Sequence, residues 1–215
     1  QLRRLLENAS GKQQTSHTDN LLTQFWASCL SSNAAEEHAL IRLKRDLARL
    51  DSAESRLQLA KDIGTFRRRG VMVGLSLTVR QDAKEASRVS VHLDQPALTL
   101  PGRDYYLRET AEAQQIRVRM KEHIAVMMQL TGFSAEAASA TAQSVIDVET
   151  SLAKGIAPAA ERQNPERLYN RYSPRELQKS APSVDWTPLL HAAGIRKLDR
   201  VIVVAPAYLA EFDRQ

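Results

Sequence analysis

The chain holds one cysteine, Cys29, in 215 residues, so no disulfide can form within it. Aromatic residues are scarce: two Trp, five Tyr and four Phe. A stretch that gathers several of them therefore stands out. No apolar run is long enough to span a membrane. The start, "QLRRLLENAS", is amphipathic and lacks the apolar centre of a signal peptide. Net charge is +5, from 30 Lys and Arg against 25 Asp and Glu. The basic residues are dispersed, and "FRRRG" at Phe66–Gly70 is the one dense run. Three arginines there suit the negative end of a helix dipole, and no basic cluster is interleaved with aromatics, so a nucleic-acid partner is not expected.

Catalytic motifs are missing too. The five histidines, His17, His38, His92, His123 and His191, never stand four apart, so there is no HExxH zinc pair. There is no GxSxG turn and no phosphate-binding P-loop. Cys29 shares an apolar helix stripe with Leu22, Phe25 and Trp26, which makes it an expected buried hydrophobe rather than a nucleophile. Glu149 is expected on a solvated or paired helix face.

What is present is mostly helical periodicity. Leu21, Leu22, Phe25, Trp26, Cys29 and Leu30 recur at helical spacing from Thr18 to Leu30, with Thr18 or Asp19 as cap. Ala34–Leu50 and Glu54–Arg68 continue the pattern, and the three segments read as antiparallel helices. The period then becomes two. "VMVGLSLTV" and "SRVSVHLDQ" alternate, which predicts a β-hairpin over about 71–95. Helices return at Glu109–Leu130 and from Ser134 to Lys154. Asn164-Pro165 reads as a helix start and "SPRE" as a capping box; Pro188 opens a short helix that Gly194 stops. "RVIVVAP" reads as a brief strand before a last helix at Pro206. The fold class is mainly α: a multi-helix lobe with one β-hairpin and a short extra strand. Both ends read as cuts inside a longer protein.

The stretch "HLDQPALTLPGRDYYL", His92–Leu107, gathers two prolines, a charge pair and two of the five tyrosines. It resembles the signature of the neprilysin-like zinc metallopeptidases, family M13. "VIDVETSLAKGIAPAAERQNPERLYNRYSPREL", "VDWTPLLHAAGI" with "RVIVVAPAYLAEF", and "FWASCLSSNAAEE" are similar to further blocks of that family, in the same order. The resemblance covers essentially residues 1–215. Thr99 departs from the usual glycine and Gly102 from the usual polar residue.

The resemblance implies a two-lobed enzyme. This chain would be the helical cap lobe, which limits access to peptides, and a downstream thermolysin-like lobe would carry zinc and hydrolyse them. The expected partners are then peptide substrates and the catalytic lobe of the same chain. Zinc belongs to the full-length enzyme, with no catalytic or metal residue in this part. The implied location is the periplasm, the medium or the surface of a bacterium, with the cytoplasm left open. Asp94, Gln95, Pro101, Arg103, Asp104, Tyr105 and Tyr106 form the candidate site, read as a structural clamp with direct substrate contact as the alternative. Asp94 and Gln95 would fix the strand end, and Arg103 and Asp104 would pair with different neighbours. A non-enzymatic helical scaffold is the competing reading.

Overall fold

The computed structural model describes residues 3–4, 6–7, 16–30 and 32–215, with side chains from 37 onward in the last stretch. The expected helix at "QLRRLLENAS" lies largely outside the described residues. The chain divides into two compact units, Gln1–Ser52 and Ala53–Gln215.

The first unit contains α1 (His17–Leu30) and α2 (Ser32–Asp51). Neither Thr18 nor Asp19 starts α1. The Ser16 hydroxyl accepts the Asp19 N–H at 3.1 Å and donates to the Asp19 carboxylate at 2.8 Å, so the helix start lies ahead of both expected caps. No residue of α1 is buried. Cys29 is exposed, and Phe25 is 63% exposed, so the expectation of a buried thiol fails. The physical reason is simple. A helical stripe is covered only when another element lies along it, and α1 and α2 do not supply that cover for each other.

The second unit begins with α3 (Arg56–Arg68), whose cap is Ser55, its hydroxyl accepting the Gln58 N–H. Within this unit the neighbour of α3 comes from far along the chain. α3 packs against α8 (Trp186–Ala192). Gly64 makes this possible: a Cβ there would lie 2.2 Å from the Leu189 carbonyl oxygen. A glycine inside a helix weakens it, and here it is kept for close approach.

The hairpin forms, but later than the alternation suggests. Gly74 has φ +66°, and the Leu75 N–H reaches back to the Val73 carbonyl at 2.6 Å. The chain bends there, and β1 runs only over Ser76–Gln81. It pairs antiparallel with β2 (Val89–Asp94), setting Leu77 opposite Leu93 and Val79 opposite Val91. β4 (Val201–Val203) lies parallel to β2, and β3 (Asn170–Tyr172) antiparallel to β4, giving the order β1-β2-β4-β3. β3 stands where the sequence suggested a helix from Asn164. Instead, a 3-10 turn at Glu161–Gln163 is followed by tight turns, with the Asn164 side-chain oxygen accepting the Glu166 N–H at 3.0 Å. A strand of three residues is too short to show a period.

Two long helices, α5 (Ala111–Leu130) and α6 (Ala135–Lys154), pack side by side, and Thr110 and Ser134 cap them. The one-turn α4 (Asp104–Leu107) sits against both. α7 (Pro174–Ser180) opens with the expected Ser173/Glu176 capping box, and α9 (Pro206–Arg214) follows β4. In all, the described residues form nine α-helices and this small sheet, so the mainly α expectation holds. One core cluster joins α3, α8 and α9 to the sheet through Leu77, Leu93, Val203, Leu189 and Tyr208. A second joins Tyr106 to Met120 and Ile146.

Polar bonds close the far end of the sheet. Asp82, 1% exposed, follows β1. Its Oδ1 accepts the N–H groups of Lys84 (2.9 Å) and Glu85 (3.2 Å) and the Tyr169 hydroxyl (2.8 Å), and its Oδ2 accepts the Ser90 hydroxyl (2.8 Å). Burial pushes this carboxyl upward, but the four donors outweigh it and hold it well below the usual range. Glu85 then takes Arg200 in a two-pronged pair at 2.6 and 2.9 Å, with Arg171 at 3.3 Å, tying the hairpin loop to β4 and β3.

Two outcomes follow. Gly64→Ala should cost about 1–3 kcal/mol through overpacking, read as a lower denaturant midpoint, although alanine is the better helix former; a raised midpoint would show that α8 yields. For Asp82, the folded pKa is depressed, so its contribution is full above about pH 4 and is lost as pH falls below it. Thermal melts of Asp82→Asn and the parent chain should therefore differ most near neutrality and converge towards pH 2.

Candidate functional site: the loop after strand β2

The loop begins where β2 ends. Asp94 turns back on its own chain, Oδ1 accepting the Gln95 N–H at 2.8 Å, as expected for a strand stop. Pro96 is buried and Pro101 is exposed at the far bend. Between them the backbone needs partners for its free N–H groups, and Glu149 of α6 provides them. Its Oε1 accepts both the N–H (3.1 Å) and the hydroxyl (2.9 Å) of Thr99. Its Oε2 accepts the Tyr106 hydroxyl at 2.7 Å, and that hydroxyl accepts the Leu100 N–H at 2.7 Å. The loop is thus stitched to α6 at two consecutive residues, Thr99 and Leu100, through one carboxylate and one phenol.

The other signature residues divide. Tyr106 is 2% exposed, its ring among Met120 and Ile146. Burial first, and Glu149 second, raise its hydroxyl above the usual tyrosine range, so it keeps its proton and remains a donor. Tyr105 turns outward at 36% exposure. Asp104 pairs with Arg108 at 2.7 Å, one helical turn on. Arg103 does not follow the same pattern: its Nε is buried without a partner among the described residues.

Three positions outside the candidate set complete the arrangement. Arg117 of α5 donates to the carbonyls of Tyr105 (2.9 Å), Tyr106 (3.3 Å) and Arg108 (2.9 Å), capping the C-terminal end of α4 with a cation. Glu149 and Thr99 are the others. The Thr99 hydroxyl adds a bond that a glycine cannot make. Nothing in the spacing of Arg117 marks it, because it contacts backbone.

A groove of ≈ 620 Å³ opens between this loop and residues 156–162. Gln95, Arg103 and Arg162 face it with Pro101, Ile156 and Pro158. The histidines fall on separate elements: His17 on α1, His38 on α2, His92 on β2, His123 on α5 and His191 on α8. Among the described residues no group of three or more His, Cys, Asp or Glu could hold a metal ion, so these residues do not fit a zinc centre.

The clamp has a measurable consequence. Tyr106→Phe leaves the Leu100 N–H and one Glu149 oxygen unpaired and should cost about 1–3 kcal/mol. Tyr106→Ala should cost about 3–5 kcal/mol. Denaturant melts give both, and unchanged midpoints would remove the clamp from the account of stability.

Comparison with known proteins agrees with the signature. The model of peptidase family M13 matches residues 1–215. Endothelin-converting enzyme 1 of Cavia porcellus is 31% identical over 140 residues, 63% of this chain and 19% of that protein. The Homo sapiens enzyme of the same name is 25% identical over 221 residues, 98% of this chain and 28% of that protein. The Mycobacterium tuberculosis zinc metalloprotease Zmp1 in its open state superposes with a TM-score of 0.87 at 29% identity, over 99% of this chain and 33% of that one. The chain therefore spans a third or less of each of these relatives. With the signature loop and the whole length matched, the chain belongs to peptidase family M13.

Proposed function

We propose that this chain is the helical cap lobe of a neprilysin-like zinc metalloendopeptidase. It encloses a cleft, admits peptides and excludes folded proteins. Hydrolysis is the work of a downstream thermolysin-like lobe of the same protein, where zinc activates water. The observation that carries the reading is the full-length superposition on one third of a zinc metalloprotease, against a family match that leaves no part of the chain over. Residues 1–215 are then one lobe, and their partners are peptide substrates and the catalytic lobe, not nucleic acid. Of the loop residues Asp94, Gln95, Pro101, Arg103, Asp104, Tyr105 and Tyr106, Asp94 and Tyr106 serve the clamp that shapes the wall of the lobe, and Gln95 and Arg103 line the groove beside it. No helix among the described residues is long and apolar enough to cross a membrane. On the family resemblance, the enzyme works in the periplasm, in the medium or anchored at the cell surface.

The sharper test uses size. The full-length protein, supplied with zinc, should cleave an internally quenched peptide and lose that activity to a chelator. The same sequence displayed in a surface loop of a folded protein should survive. Residues 1–215 alone should bind no stoichiometric zinc by atomic absorption and cleave neither substrate. Chelator-sensitive turnover by residues 1–215, or equal cleavage of the folded substrate, would sink the cap-lobe reading.

A further inference from the structure

Two residues that line the groove beside the loop, Gln95 and Arg103, each bury beneath its surface a polar atom that the fold does not use. Gln95 Oε1 and Arg103 Nε are both shut off from water and make no hydrogen bond among the described residues. Buried polar groups in native proteins are nearly always paired, so two in one groove call for an explanation. The surrounding arginines are engaged elsewhere: Arg108 with Asp104, Arg117 with three carbonyls and Arg167 with Glu161. Arg162, across the groove, has only a loose contact, 3.9 Å from Asp94. Of the carboxylates at this place, Asp104 is neutralised by Arg108 and Asp94 lies towards Arg162. Arg103 is the cation left without a counter-charge.

The chemistry of the pair narrows the ligand. A guanidinium offers Nε together with one terminal nitrogen as a fork that matches the two oxygens of a carboxylate. Gln95 Oε1 is an acceptor and needs a donor. A phosphate would set its own oxygens against that acceptor. A peptide carries what both groups lack: a carboxylate for Arg103 and a backbone N–H for Gln95. The Pro101, Ile156 and Pro158 walls suit apolar flanking residues, and ≈ 620 Å³ accommodates a few of them. The net charge of +5 favours the approach of an acidic peptide.

We propose that this groove is a subsite for an acidic residue of an extended peptide substrate. The side-chain carboxylate seats on Arg103, and a neighbouring peptide N–H donates to Gln95 Oε1. The seating turns both the Arg103 guanidinium and the Gln95 amide towards the groove, which satisfies Nε together with a terminal nitrogen and exposes Oε1 to the peptide N–H. The site rests on the reading of the chain as a peptidase lobe.

The test uses the full-length protein and two fluorescent peptides that differ only by Glu→Gln. Binding is read by anisotropy and hydrolysis by kcat and KM. The acidic peptide should bind about tenfold more tightly, with the preference falling as salt rises. Arg103→Gln should abolish the preference by raising KM for the acidic peptide alone, with kcat unchanged. A preference that survives Arg103→Gln, or an equal loss for both peptides, overturns the site. If Arg103→Gln fails to fold, Arg103→Lys decides: it keeps the charge but loses the fork, so a reduced preference supports the site and full retention overturns it. Binding with the preference but without cleavage would sink the peptidase reading and leave the subsite standing. Cleavage of both peptides without preference would sink the subsite alone.

Discussion

One carboxylate organises the region on which the rest depends. Glu149 sits on α6 and accepts from Thr99 twice and from Tyr106 once, while the Tyr106 hydroxyl in turn accepts from Leu100. Without these bonds the segment between Pro96 and Pro101 would bury backbone donors with nothing to meet them. The loop could not then lie flat on the two long helices, and the groove between it and residues 156–162 would lose one wall. The same end of this helix is fixed again, at its C-terminal cap, by close packing. A Cβ at Gly155 would come within 2.7 Å of the Tyr208 Cα, so α6 and α9 touch backbone to backbone. Gly155 has an ordinary helical φ, so the glycine is needed for space and not for a left-handed turn.

The hairpin is likewise held by carboxylates, but these draw on arginines as well as on neutral donors. Asp82 gathers four donors, and Glu85 gathers Arg200, Arg171 and Arg88. The Glu85 carboxyl is held low chiefly by the Arg200 hydrogen bonds, and Arg200 is pushed up by the same contact. The value of this network is mainly geometric. β1 and β2 are consecutive, but β3 and β4 arrive from distant sequence, and a parallel β2–β4 pair has no turn to set its register. Ion pairs from one loop to both late strands specify that register.

Much of the fold could be read from the chain because local rules agreed with the tertiary structure. Ser134, the Ser173/Glu176 box, Gly194 and the two long helices are all decided within a turn or two of sequence. The failures share a different cause. Cys29 lies on a genuine apolar stripe, but periodicity says only that a face could be covered, not that anything covers it. β3 is too short for a period, and Gly74 broke an alternation that looked continuous. α3 pairs with α8, and no local signal reports a partner so far along the chain. In the site, the signature located the loop and Tyr106, and Glu149 was visible only as a residue on a helix. Arg117 was invisible, because a side chain that binds carbonyls leaves no trace in the sequence of its partners.

The proposed role, a lobe that limits access by size, requires a wall that resists being pushed open, with stiffness from bonds that do not depend on the substrate. The loop meets this condition on three sides: Glu149 from α6, Arg117 from α5, and the Asp94 turn at the strand end. All three act through backbone groups of the loop or through the buried Tyr106, which places the restraint on the main chain and leaves the exposed side chains free to vary. The Thr99 hydroxyl, which the usual glycine lacks, joins a carboxylate already in place. That division also separates the two halves of the signature. Tyr106 and Asp94 spend their polar atoms on the fold, whereas Gln95 Oε1 and Arg103 Nε spend none. A loop built only for rigidity would have paired those as well, and the fact that its clamp is complete without them is what makes their orphaned state chemically informative.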